Sequence, residues 1–77
     1  MMAAFIMLQL ERGANGNQVH DTLHAIPDVK TVHFVAGPTD VIVFAEAPDQ
    51  ASLLQTLTKI RATAGVASTD TRIVWGG

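Results

Sequence analysis

The chain contains no cysteine and no tyrosine, and aromatic residues make up only 5% of its 77 residues. The absence of cysteine excludes a disulfide framework, a thiolate metal site and a cysteine nucleophile. Hydrophobic residues still account for 48% of the sequence, so the core must be built from aliphatic side chains. Because a cysteine-free composition suits a reducing compartment, we expect a cytoplasmic protein.

Basic residues are also few, and the formal net charge is -2. The five lysine and arginine residues are scattered along the chain: Arg12, Lys30, Lys59, Arg61 and Arg72. An autonomous nucleic-acid-binding protein needs several clustered phosphate contacts. The composition therefore argues against direct nucleic-acid binding.

The N-terminal stretch MMAAFIMLQL is apolar. It carries no basic leader and is far shorter than the ~20 residues that span a bilayer. We therefore expect a buried strand and no membrane association. A chain this short buries only somewhat more than ~60% of the surface of its unfolded form, so a second apolar surface favours oligomerisation.

Hydrophobic periodicity predicts six elements in the order strand, helix, strand, strand, helix, strand. The predicted strands are 3–10, 29–36, 41–47 and 66–75. The first helix is predicted from about Asn17 to Pro27, with Asn15 or Asn17 as its cap. The second opens at Pro48 and stops at Gly65, with Leu54 widening its apolar stripe.

The first predicted strand is apolar on both faces. Its alternating sets are Ala4, Ile6, Leu8 and Leu10 on one side, and Phe5, Met7 and Gln9 on the other. Two βαβ halves, marked by a weak repeat between 25–29 and 62–66, predict an α+β, ferredoxin-like βαββαβ fold. Both helices then cover one face of a four-stranded antiparallel sheet, and we expect dimerisation through the other face.

The turn Gly37-Pro38-Thr39-Asp40 admits two interpretations. In the first, it is an ordinary hairpin turn in which Asp40 caps its own loop. In the second, the Asp40 carboxylate binds the ammonium group of a small zwitterion and the turn N–H groups bind its carboxylate. Local spacing alone favours the first.

The last predicted strand has a polar middle, from Ser68 to Arg72. Arg72 is suited to clamp a carboxylate, with hydroxyl contacts from Thr69 or Thr71. The alternative is a solvated strand with a surface pair between Asp70 and Arg72.

His20 and His24 stand four residues apart on the first predicted helix, a spacing compatible with a metal ion. No third ligand is near them in sequence, so a solvated helix edge is the favoured interpretation. His33 is most simply an interface residue. The sequence has no nucleophile elbow and no phosphate-binding loop, and we expect neither a cofactor nor enzymatic activity.

The hairpin and the two half-repeats together resemble the effector-binding domain, or RAM domain, of the Lrp/AsnC family of transcriptional regulators. The resemblance covers almost the whole chain in the right order. It is carried by Ile26-Pro27-Asp28-Val29, the run from Val32 to Val43, Ile60, Gly65-Val66, and the run from Ser68 to Val74.

This resemblance implies a single RAM-like domain over 1–77 without the family's DNA-binding domain. It implies a homodimer that assembles into an octamer-like ring of dimers, binds a small amino-acid effector, and modulates transcription by co-assembly with a full-length regulator. The implied effector-binding residues are Gly37, Pro38, Thr39, Asp40, Thr69 and Thr71.

Two other classes of protein share the predicted fold. One is a small dimeric α+β-barrel enzyme, such as a cofactor-free monooxygenase or an isomerase, which needs an internal cavity lined by His33 or His20. The other is a purely structural assembly domain.

Overall fold

The computed structural model describes residues 1–36 and 39–74, and six elements follow in the predicted order. They are β1 Met2–Leu10, α1 Gly16–His24, β2 Val29–Phe34, β3 Val41–Ala47, α2 Gln50–Arg61 and β4 Val66–Ile73. The strands form one antiparallel sheet in the order β2-β3-β1-β4. The predicted ferredoxin-like fold is confirmed. Trp75, which the pattern assigns to the last strand, lies outside the described residues.

The core lies between the sheet and the two helices and is aliphatic, as predicted. In β1 the alternation holds: Ala4, Ile6 and Leu8 are fully buried, whereas Phe5 is exposed. The other buried apolar side chains are Val19, Leu23, Ile26, Val29, Val41, Val43, Ala45, Ala47, Leu53, Leu57 and Ile60. Successive strand residues point to opposite faces, so a single register fixes which set of side chains faces the helices.

Each helix begins with a side-chain cap. The Asn15 side chain accepts a hydrogen bond from the Gln18 N–H at 3.1 Å, which identifies the cap that the sequence left open. The Asp49 carboxylate accepts one from the Ser52 N–H at 2.8 Å, and this bond lowers the pKa of Asp49. Pro48 therefore precedes the helix, and its predicted place inside the first turn is wrong.

The second helix is shorter than predicted, and its buried apolar stripe is narrower. It ends at Arg61, with Ala62 as its cap, rather than continuing to Gly65. Leu54 is 53% exposed and does not widen the buried stripe, because it stands on the far side of the helix from the sheet. In the described part of the chain, no helix is long and apolar enough to cross a membrane.

The two connections from helix to strand have the same backbone conformation. Asp28 and Gly65 both adopt a left-handed conformation, with φ of 75° and 92°. The next residues, Val29 and Val66, donate their N–H groups to carbonyl oxygens three residues earlier, both at 3.2 Å. The weak sequence repeat thus corresponds to a structural repeat.

Gly65 is expected to be the least replaceable glycine of the described chain. A Cβ there would lie 3.0 Å from Val19 Cγ2 and 3.2 Å from Ala14 Cβ, in addition to the left-handed φ. We expect Gly65→Ala to lower the free energy of unfolding by about 2–4 kcal/mol, combining backbone strain with overpacking. Urea denaturation at fixed protein concentration measures this change.

Gly13→Ala is the matched control. Its φ of 82° is similar, but a Cβ there meets nothing within 4 Å. Only the backbone cost of about 1–2 kcal/mol then applies. Equal losses in the two variants would show that crowding at Gly65 does not contribute.

Candidate functional site

One end of the sheet gathers the segments that the sequence singled out. The connection between β2 and β3 lies there, together with the end of β1 and the start of β4. Val41, Leu8 and Thr69 form one row across β3, β1 and β4 at this end. Of the predicted turn residues, Gly37 and Pro38 lie outside the described residues, whereas Thr39 and Asp40 are half-buried.

Asp40 fastens the turn to the central strand. Its Oδ2 accepts a hydrogen bond from the Leu10 N–H at 2.9 Å, and its own N–H donates to the Leu8 carbonyl oxygen at 3.0 Å. Its carbonyl oxygen accepts from the Val35 N–H at 3.0 Å. The carboxylate therefore takes the place of a main-chain acceptor and extends the β1–β3 pairing beyond Val41. Asp40 has a structural role, although its described side-chain partner is on β1 rather than in its own loop.

The second carboxylate oxygen, Oδ1, accepts no hydrogen bond from the described residues. One oxygen of Asp40 is thus held by the fold, and the other is open to a hydrogen-bond donor. A half-buried carboxylate that is fixed in this way needs no rearrangement to accept a bond from an ammonium group.

Thr69 and Thr71 lie beside Leu8 and Ile6 of β1, on the sheet face that carries the helices, and both are half-buried. Because β1 separates β3 from β4, the axes of β3 and β4 lie about 10 Å apart, or two inter-strand spacings. An α-amino acid bears its ammonium and carboxylate groups on one carbon atom. Within one subunit, Asp40 and the two threonines are therefore too far apart to contact the ammonium and carboxylate groups of one amino acid together.

Arg72 forms the surface pair that the sequence offered as the alternative to a carboxylate clamp. Its Nη2 donates to Asp70 Oδ2 at 3.0 Å, and its Nε lies 3.3 Å from both carboxylate oxygens. These hydrogen bonds lower the pKa of Asp70 and raise that of Arg72. Both side chains are exposed, so the pair contributes little to stability.

The sheet face opposite the helices has an apolar centre. Phe5 and Phe44 are cross-strand partners whose ring centroids are 4.9 Å apart, and Phe5 is 45% exposed. Met7 and Ile42 form the next row. We call this surface the open face; its members are Phe5, Met7, Ile42 and Phe44, with Thr31 and His33 on one side and Asp70 and Arg72 on the other.

The histidines do not line an internal cavity. His20 and His24 stack with ring centroids 5.6 Å apart, and the His20 and Phe34 rings are perpendicular, with centroids 5.8 Å apart, on the outer surface of α1 and β2. His33 is exposed on the open face. Among the described residues, no group of three or more histidine, aspartate or glutamate side chains is placed to hold a metal ion.

Sequence reasoning missed Arg61. It lines a small surface cavity of about 200 Å³ beside the start of β4, together with Val66, Ala67, Ser68 and Thr69. Its position as the last residue of a helix, a few residues before a threonine-rich strand, is the signal that the sequence offered.

Residues 3–76 match the family model of the Lrp/AsnC ligand binding domain. The chain belongs to this family. The resemblance to the RAM domain of this family is therefore confirmed, and the sheet order and helix placement described above are those of its fold.

Solved structures extend the comparison. The crystal structure of FFRP-DM1 has a TM-score of 0.87 and 35% sequence identity, over 96% of this chain and 99% of that one. A feast or famine regulatory protein from M. tuberculosis, solved in complex with L-methionine, has a TM-score of 0.82 and 22% identity, over 100% of this chain and 52% of that one. The second likeness establishes the fold alone.

A curated relative is a larger protein. Homocitrate synthase from Sulfurisphaera tokodaii is 38% identical over 71 residues, which cover 92% of this chain but 15% of that protein. The RAM domain chain thus spans a small part of this relative and about half of the mycobacterial regulator.

Proposed function

We propose that this RAM domain is an oligomeric module that binds an amino-acid effector near the turn from 37 to 40 and has no enzymatic activity. The observation that carries the proposal is the state of Asp40. Its Oδ2 is held by the Leu10 N–H at 2.9 Å, while Oδ1 accepts nothing from the described residues. The carboxylate is thereby oriented to bind the ligand ammonium group, and turn N–H groups other than that of Asp40, which donates to Leu8, bind the ligand carboxylate.

The proposed site is shared between subunits. About 10 Å separates the axes of β3 and β4 within one subunit. All three side chains therefore contact one small ligand when Asp40 comes from one subunit and Thr69 and Thr71 come from another. An amino acid as ligand is supported by the L-methionine complex of the structurally similar regulator.

Assembly through the open face is part of this proposal. Phe5 and Phe44 provide an apolar centre on a sheet whose other face is already covered by the helices. Large apolar patches rimmed by polar residues are typical of association surfaces. Dimers formed in this way then assemble into a ring in the cytoplasm and modulate transcription by joining a full-length regulator of the same family.

Isothermal titration against the twenty amino acids tests the ligand. We expect saturable heat with at least one amino acid at micromolar to millimolar concentration. No heat with any of the twenty at millimolar concentration would contradict effector binding. A mass unchanged by protein concentration at that of an 8.2 kDa monomer would contradict the assembly.

A second candidate function is favoured by the homocitrate synthase match, in which a segment similar to this chain is part of a protein named as an enzyme. In this alternative the domain binds an effector in order to regulate a biosynthetic enzyme instead of a transcription factor. Affinity purification from the native host, followed by mass spectrometry, distinguishes the two. A helix-turn-helix regulator among the captured proteins supports the first function, and a metabolic enzyme supports the second.

A further inference from the structure

Arg61 is a cation without a described counter-ion. It is the last residue of α2, and no carboxylate among the described residues lies within ion-pair distance of it. Arg72, by contrast, is held by Asp70 at 3.0 Å. A helix C-terminus accounts for a basic residue at this position, but it does not account for the cavity that the side chain lines.

β4, the strand beside Arg61, has main-chain N–H groups on its outer edge that do not pair with another strand. β4 stands at the edge of the sheet, next to β1 alone. The Val74 N–H donates to the Ala3 carbonyl oxygen at 3.0 Å, and antiparallel partners alternate between hydrogen-bonded and non-hydrogen-bonded pairs. Val74 and Ala3 therefore form a hydrogen-bonded pair. The two kinds of pair alternate along the register from there, so Thr69 and Leu8 form a non-hydrogen-bonded pair. The Thr69 N–H therefore points away from β1, towards the free edge.

The cavity where these groups meet is rich in donors. Arg61, Ser68 and Thr69 line it together with Val66 and Ala67, and no acidic side chain of the described residues is among them. The lining contributes the Arg61 guanidinium group, the Thr69 hydroxyl group and an outward main-chain N–H, whereas the Ser68 hydroxyl donates to Gln9 Oε1 at 3.3 Å on the opposite face of the sheet. Its volume of about 200 Å³ leaves room for a small organic acid.

We propose that the Arg61 cavity is a binding site for the carboxylate group of a small organic acid. The planar guanidinium group binds a carboxylate through two parallel hydrogen bonds, and the Thr69 hydroxyl and N–H groups bind its outer lone pairs. One arginine balances the single negative charge of a carboxylate, whereas a phosphate carries about -1.5 to -2 at pH 7. The site shares Thr69 with the proposed effector site, but it goes beyond that function because it needs neither Asp40 nor the turn and is formed within one subunit.

Titration of the ¹⁵N-labelled full chain with sodium acetate tests the proposal, with sodium chloride added to hold the ionic strength constant. We expect saturable shifts of the Ala67, Ser68 and Thr69 amide signals in the millimolar range. Arg61→Gln is expected to weaken acetate binding about tenfold or more, because it removes both the positive charge and the two parallel donors of the guanidinium group. Arg61→Lys keeps the positive charge but loses the two parallel donors, so its acetate affinity should lie between those of the unmodified chain and Arg61→Gln.

Lys59→Gln is the matched control, since Lys59 is exposed in the same last turn and does not line the cavity. It should change acetate affinity less than twofold. Shifts that do not saturate, or an equal loss in the Lys59 and Arg61 variants, would overturn the proposal, and so would phosphate binding more tightly than acetate. Amino-acid binding at the turn is followed separately through the Thr39, Asp40 and Val41 signals, so failure of one site is distinguishable from failure of the other.

Discussion

Phe5→Glu is expected to convert the proposed oligomer into monomers without unfolding the chain. Phe5 lies at the centre of the open face, 45% exposed in the single subunit, with the Phe44 ring 4.9 Å away. In a twofold symmetric dimer each substitution occurs twice in one interface, so two carboxylates would be desolvated close together. Such like-charge contacts cost several kcal/mol, which corresponds to a dissociation constant raised about a hundredfold or more.

Sedimentation velocity over a range of protein concentrations measures this effect. The variant should sediment as an 8.2 kDa species at concentrations where the unmodified chain is associated. Its fold should persist, because Phe5 is 45% exposed on the open face and is not part of the core between the sheet and the helices. Circular dichroism verifies that secondary structure is retained.

Leu54→Glu is the control for this experiment. Leu54 is 53% exposed, on α2 and away from the open face, so it introduces the same charge at a comparable apolar surface residue. We expect it to leave the dimer intact. Dissociation by Leu54→Glu and not by Phe5→Glu would move the proposed interface from the sheet to the helices.

The exposure of the open face was predictable because it depends on local alternation. Once β1 is a strand, the period of two places Phe5 and Met7 on one side and Ile6 and Leu8 on the other. The chain has only two predicted helices, and right-handed crossovers bring both of them to the same side of the sheet. The other side must therefore lack cover within one subunit.

Errors at the second helix arose where two local rules compete. Pro48 and Asp49 both favour a helix start, and proline at the first helical position is as acceptable as aspartate at the cap. The structure selects Asp49 as the cap through its bond to the Ser52 N–H. Gly65 was assigned to the end of the helix because glycine commonly follows one, but it supplies the left-handed residue of the next turn instead.

The site itself was predictable only in part, because its contacts join distant positions in the chain. Nothing in the sequence near Asp40 indicates that its side chain binds the N–H group of Leu10, which is 30 positions away. The cavity beside Arg61 likewise forms from a helix end and a strand edge that only the folded chain brings together. The residue types were enough to predict the turn, but the hydrogen bonds of its side chains depend on tertiary contacts that the sequence does not show.

Paired substitutions at Asp40 should separate its structural role from its proposed role in binding. Asp40→Ala leaves the partly buried Leu10 N–H without its acceptor. We expect a loss of about 1–3 kcal/mol in the free energy of unfolding, together with loss of amino-acid binding. Asp40→Asn retains an oxygen that accepts the same bond but removes the charge, so stability should change by less than about 1 kcal/mol.

The two variants should then differ in stability and agree in binding. Because the ammonium group of an amino acid forms a charge-assisted bond with the carboxylate, Asp40→Asn should weaken binding about tenfold or more. Urea denaturation and isothermal titration of both variants measure the two quantities independently. Full affinity in Asp40→Asn would show that the carboxylate does not bind the ligand, and full stability in Asp40→Ala would show that the bond to Leu10 contributes nothing. If instead Asp40→Asn keeps its fold and loses its ligand, the charge of Asp40 serves binding and its Oδ2 acceptor serves the sheet.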